Sequence, residues 1–259
     1  MSGSPPVGRP DLHRLRVRFG KDGRLAYLGH LEVAGTIERS VRRSALPFSV
    51  GNGFARRMRI QFSQALPVGS ASACEYYDLY LTERVAPREA LERLVTSTPA
   101  SLAPTAASYV RGRLPALEAW LTRSAWRLEL SGTGGAFAPP AFDAALRELR
   151  AIGAISFMRG DRPRTIGLDD TLVSWAVTPR QGRGGCSVVD LVLDTRSSNL
   201  GALRPAVLVE AALSRPVLAA AELDSMRVLR VAQWHEGADG SLVDALSDGV
   251  TMPDPPAKR

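Results

Sequence analysis

An α+β fold made of two ferredoxin-like βαββαβ lobes in tandem is the architecture this sequence predicts. Three observations predict it. Some segments alternate apolar and polar residues, others carry apolar residues at helical spacing, and the order of the two kinds is the same in each half. The 259 residues divide into lobes of about 120 residues each, within the usual size of a domain.

In the first half, Leu15, Val17 and Phe19 alternate with Arg14, Arg16 and Arg18, the pattern of a half-buried strand. Lys21-Asp22-Gly23 is a turn signal. Leu31, Ala34, Ile37, Val41 and Ala45 then fall on one face of a helix that Pro47 stops. Phe48 to Val50 reads as a short strand, Gly51-Asn52-Gly53 as a turn, and Arg57 to Phe62 and Glu75 to Leu81 as two further strands. Pro87 opens a second helix through Leu91, Leu94 and Val95, which ends before Pro99. After a less regular stretch, Ala125 to Leu130 alternates as the closing strand.

The second half repeats the order. Pro139-Pro140 opens a helix with Phe142, Leu146, Leu149 and Ile152 at helical spacing. Ile155 to Met158, Thr171 to Val177 and Val188 to Leu193 read as strands. Arg204-Pro205 opens the last helix, and Val228 to Trp234 closes the lobe. The lobes are therefore expected over residues 12–130 and 131–240. Residues 1–11 and the Pro-rich 241–259 are expected to be disordered.

A composition of 45% hydrophobic and 23% charged residues supports a core without metal or disulfide staples. No run of about 18 apolar residues marks a membrane span, and Met1 to Pro10 lacks the apolar stretch of a secretory signal. Two cysteines, Cys74 and Cys186, read as reduced thiols in a cytoplasmic protein. The net charge of +7 points to acidic partners, nucleic acid first among them. All basic residues except Lys21 and Lys258 are arginine, the side chain that grips phosphate bidentately.

A family becomes visible between Leu15 and Leu81. Arg18-Phe19-Gly20-Lys21-Asp22-Gly23-Arg24-Leu25, Leu28-Gly29-His30-Leu31-Glu32, Gly53-Phe54, Ala65-Leu66-Pro67-Val68-Gly69, Ser72 and Glu75-Tyr76 follow in order. This run resembles the radical-SAM-linked protein family, and weaker likeness continues through Leu203-Arg204-Pro205. The resemblance implies a partner: a radical SAM protein with a cobalamin-type domain, encoded nearby or fused. There is one departure. Where the family carries Asn/Thr-Pro-His-Pro-Lys/Arg after the Gly-Phe pair, this chain has Ala55-Arg56-Arg57-Met58-Arg59.

The chain has no cluster of three cysteines with which to ligate a radical SAM iron–sulfur cluster. Its cysteines and histidines show no metal-ligand spacing, so no metal and no cofactor is expected. His30, at the start of the first helix, is the candidate base or substrate contact; a packing role is the plainer reading. Asn52, Arg56, Arg57 and Arg59 form a glycine-flanked basic loop suited to an anion, and Phe54 beside them suits stacking on a base. Glu75 either orients an arginine of that loop or caps a strand edge, and Arg204 completes the candidate anion-binding set. Arg180 to Gly185 reads as a mobile arginine–glycine loop, and Asp169-Asp170 as a turn. Two functions with a ligand stay open: an accessory, substrate-presenting protein for a separate radical SAM enzyme, or an RNA-binding or RNA-processing protein; a structural interaction module with no small-molecule site is the third. The ligand in either of the first two cases is RNA or a phosphorylated or otherwise anionic molecule, and no membrane is involved.

Overall fold

Leu15 and Val17 are fully buried, as their alternation demands, yet Arg16 between them is only 1% exposed. Both faces of this strand, β1 (His13–Lys21), are covered. The computed structural model describes residues 11–180, 187–198, 201–246 and 250–251. After β1 come α1 (His30–Arg43), β2 (Ile60–Phe62), β3 (Ser70–Leu81), α2 (Pro87–Ser97), β4 (Pro104–Tyr109) and α3 (Leu117–Trp120). The second half contains β5 (Arg123–Thr133), α4 (Pro139–Ile152), β6 (Ala154–Arg159), β7 (Arg162–Gly167), α5 (Leu168–Thr171), β8 (Leu172–Arg180) and β9 (Ser187–Ser198). It closes with β10 (Gly201–Ala202), α6 (Pro205–Leu213), β11 (Glu222–Glu236), β12 (Leu242–Asp244) and β13 (Val250–Thr251).

The protein is α+β, with one large mixed sheet running through both halves. In the first half the strands lie in the order β2-β3-β1-β4, and in the second β8-β9-β5-β11. A short parallel pairing of Val228–Arg230 in β11 with Ser70–Ser72 in β3 joins them. Helices α1 and α2 place Val33, Ile37, Val41, Leu91 and Leu94 on Leu15, Val17, Tyr77 and Leu79, forming one apolar core. Helices α4 and α6 build a second core on β5, β8 and β9 from Phe142, Leu146, Leu149, Leu208 and Val209. A smaller cluster of Tyr76, Leu117, Trp120, Leu121, Ala245 and Leu246 covers the reverse face of β1 and β3. This cluster is what buries Arg16.

Several expectations are corrected. The strand that closes the first half's order is β4, not Ala125 to Leu130. Its Pro-Thr-Ala-Ala-Ser-Tyr sequence does not alternate by size, because Ala106 and Ala107 are both fully buried, one on each side of the strand. Ala125 to Leu130 lies inside β5, which pairs with β9 and β11, so a boundary at 130/131 cuts a strand. Ile155 to Met158 belongs to a separate two-stranded hairpin, β6–β7, outside the main sheet. Thr171 ends α5, and the expected strand from Thr171 to Val177 begins one residue later. Within 241–259, Leu242–Asp244 pairs with β11 and Val250–Thr251 with β4, while Ala245 and Leu246 are buried. These residues are held by the sheet, contrary to the expected disorder. Residues 1–10 and 252–259 lie outside the described residues.

One tight approach fixes the start of α4. Gly134 has φ +91°, and a Cβ there would sit 2.0 Å from the Ala220 carbonyl oxygen. Gly134→Ala is therefore expected to destabilise the fold by more than about 1 kcal/mol, read as a lowered midpoint in urea unfolding.

Candidate anion-binding site

The site arises from a break in one sheet edge. β1 occupies one side of β3, and on the other side β2 covers Tyr77–Leu79 while β11 covers Ser70–Ser72. Between these two partners β3 presents Glu75, and the chain from Ser63 to Pro67 crosses the gap. Arg230 of β11 fills it from the other half. Its Nη1 donates to both Glu75 oxygens at 3.0 and 3.1 Å and to the Gln64 carbonyl at 3.3 Å. Ser63 Oγ donates to Glu75 at 3.3 Å. The guanidinium of Arg230 lies over the Trp126 ring, 4.4 Å from its centroid, and Trp126 Nε1 donates to Thr195 Oγ1 at 2.9 Å. Arg230 is 4% exposed, and its Nε is buried without a partner. An unpaired N–H on a buried cation is costly unless a ligand or water meets it.

Above Arg230 opens a groove of about 440 Å³, lined by residues of both halves. Arg159, Arg164, Arg196 and Arg204 join Arg230 on its walls, and among the described residues Glu118 is the one acidic residue lining it. The arginines come from different elements. On the hairpin, Ile155 pairs with Ile166, Phe157 with Arg164 and Arg159 with Arg162. Cross-strand partners share a face. The face that buries Ile155 and Ile166 therefore continues past the core and carries Phe157, Arg159 and Arg164 over the groove. Arg204 is the N-cap of α6, whose first-turn N–H groups have no intrahelical acceptor. Arg196, from β9, donates to Glu236 at 2.6 and 2.7 Å. Hydrogen bonds from Arg196 are the first cause that holds the Glu236 carboxyl below its ordinary range, with Arg123 adding to it. Arg159, Arg164 and Arg204 are exposed and form no ion pair among the described residues.

Gln64 also lines a second, small pocket on the far side of the Glu75–Arg230 pair, together with Lys21, His30, Phe62, Ser63 and Glu75. His30 is exposed and meets Phe62 edge-on, with ring centroids 5.7 Å apart. Lys21 is 2% exposed, and its Nζ donates to the Leu28 carbonyl at 2.9 Å. Burial lowers its pKa, partly offset by the charge of Glu75.

The residues singled out in the sequence are thus divided. Arg204 lines the groove, Glu75 sits beneath it, and His30 shares the neighbouring pocket with Glu75. Asn52, Arg56, Arg57 and Arg59 lie instead on an exposed hairpin, where Val50 bridges Met58 and Gly51 N–H donates to the Arg57 carbonyl at 2.8 Å. None of them lines either cavity. The partner of Glu75 is Arg230, not an arginine of that loop. Arg159, Arg164, Arg196 and Arg230 were not among the sequence-based candidates. A signal existed for two of them: Gly160-Asp161 is a turn pair that marks the hairpin displaying Arg159 and Arg164, with Gly160 at φ +59°. Arg180 pairs with Glu129, residues 181–186 lie outside the described residues, and Asp169 and Asp170 lie in α5. Among the described residues no cluster of three or more His, Cys, Asp or Glu is arranged to hold a metal ion, and no helix is long and apolar enough to cross a membrane.

Cys74 is buried at 4% exposure, and burial pushes its thiol up to about 12. In a Cys186→Ser background the native protein is expected to react with a disulfide reagent at pH 8 no faster than it unfolds. Rapid labelling of the folded protein would contradict this burial.

No curated protein matches the chain. Among solved structures it is similar to one described as the crystal structure of an unknown protein from Galdieria sulphuraria. The identity is 7% over 86% of this chain and 100% of that one, and the TM-score is 0.24, too low to carry an argument. The family model described as "Uncharacterized protein conserved in bacteria (DUF2344)" matches residues 14–200, a span that holds Glu75, Arg159, Arg164 and Arg196 and stops short of Arg204 and Arg230. With most of its length so matched, the chain belongs to that bacterial family.

Proposed function

We propose that this protein is an accessory, substrate-presenting protein for a separate radical SAM enzyme, and that the groove above Arg230 holds an anionic part of what is presented. The observation that carries the binding half is the convergence of Arg159, Arg164 and Arg204, none of them in an ion pair among the described residues, on one concave site that Gln64, Ala65, Pro67 and Glu118 of the first half complete. Exposed arginines scattered over a surface are commonplace; arginines gathered over a buried, incompletely bonded Arg230 are a built anion site. The partner half rests on the sequence resemblance and on the lack of a cysteine triad in this chain. We read the two halves as ferredoxin-like lobes set side by side, supported by the matching strand orders β2-β3-β1-β4 and β8-β9-β5-β11, in a cytoplasmic protein.

The test combines the purified chain with the radical SAM protein encoded nearest to it. The two are expected to co-purify, and substitution of groove arginines is expected to abolish stimulation while leaving the complex intact. Turnover by the chain alone, or stimulation indifferent to those substitutions, would reject the reading.

A second reading, RNA binding, is favoured by one observation. Phe54 is completely exposed, at 110% relative to its extended reference, on the hairpin that carries Arg56, Arg57 and Arg59. An exposed aromatic flanked by cations suits base stacking. Salt-dependent RNA affinity lost in Phe54→Ser would support it, and no binding at low salt would remove it.

A further inference from the structure

Resting on the anion-groove reading, we propose that the ligand is a phosphate monoester of a small organic molecule, its phosphate held between Arg204 at the start of α6 and the buried Arg230. Charge is the first argument. Within the lining, Arg230 is balanced by Glu75 and Arg196 by Glu236. Arg159, Arg164 and Arg204 remain, with Glu118 opposing one of them. The excess of two positive charges matches a phosphate monoester, which carries roughly −1.5 to −2 at neutral pH, and exceeds a lone carboxylate.

Shape is the second. The donors approach from three directions: the β6–β7 hairpin above, the N-terminus of α6 at one end, and the buried Arg230 side chain below. Tetrahedral phosphate oxygens meet donors spread in three dimensions, whereas the two oxygens of a carboxylate lie in one plane. The amides opening α6 add the partial positive charge of a helix N-terminus. It is Arg230, more than nine-tenths buried with Nε unpartnered and lining the same groove, that makes this a site rather than a helix end. Size is the third argument. A groove of about 440 Å³ has room for far more than one phosphate, and Phe157, Ile166 and Leu203 on its walls offer apolar surface to an organic body.

Calorimetric titration of the full chain with inorganic phosphate and with succinate tests the assignment. Phosphate is expected to bind at least tenfold more tightly than succinate, a dianion of two planar carboxylates. Arg204→Gln is expected to weaken phosphate binding at least tenfold without lowering the thermal midpoint. Arg88→Gln, on the exposed face of α2 away from the groove, is expected to leave binding unchanged. Succinate binding as tight as phosphate would overturn the phosphate assignment and leave an anion groove standing. Binding of neither ion, or binding indifferent to Arg204→Gln, would overturn both.

Discussion

Asp78→Ala is expected to destabilise the protein by about 3–5 kcal/mol, the usual result of removing one partner from a buried ion pair. Asp78 is fully buried in β3, opposite Arg16 in the strand register. Its Oδ1 accepts from Arg16 Nε at 2.8 Å and its Oδ2 from Arg16 Nη2 at 3.0 Å, while Arg14 Nε donates to Oδ2 at 2.8 Å. The Arg16 guanidinium also lies 4.7 Å from the centre of the Trp120 ring. Without the carboxylate, a guanidinium 1% exposed keeps its desolvation cost and loses its counter-charge. Arg14, at 13% side-chain exposure, can turn to water more easily. The double substitution Asp78→Leu with Arg16→Met is accordingly expected to cost less than Asp78→Ala alone, because it removes the stranded charge. Urea unfolding midpoints of the three proteins check this; equal losses for the single and double variants would show that the pair contributes packing rather than charge.

The second large effect is on binding. Arg164→Gln with Arg204→Gln removes two cations from the groove, each worth about 1.5–3 kcal/mol when it donates to a charged acceptor. The anion affinity is expected to fall by roughly a hundredfold or more, and the dependence of affinity on salt is expected to flatten. Stability is expected to stay unchanged, since both side chains are exposed and neither has an ion-pair partner among the described residues. A fall in stability with no change in affinity would mean that these arginines serve the fold.

The sequence disclosed the elements better than the site, and the reason is physical. Alternation is visible wherever one sheet face is apolar, so β1, β3, β5 and β11 stand out. It fails in β4, where Ala106 and Ala107 are small enough to be buried on both sides. It also misleads in β1, where the arginine face looked solvated and Arg16 is buried by Trp120 and by Ala245, 229 residues away. Glu75 and Arg204 stood out through motifs, but the residue that gives them meaning is Arg230, 155 positions beyond Glu75. No local pattern announces a partner at that distance, because only the parallel join of β3 and β11 brings the two together. The basic loop drew notice through its glycines and its charge, features that hairpin tips share with binding loops.

An anion is expected to settle between the two halves, above Arg230. A tungstate-soaked crystal, read by anomalous diffraction, tests this most directly. The expected result is a peak within bonding distance of the Arg204 and Arg230 guanidinium groups, absent in Arg204→Gln. Peaks confined to Arg56, Arg57 and Arg59 on the exposed hairpin, with the groove empty, would contradict it.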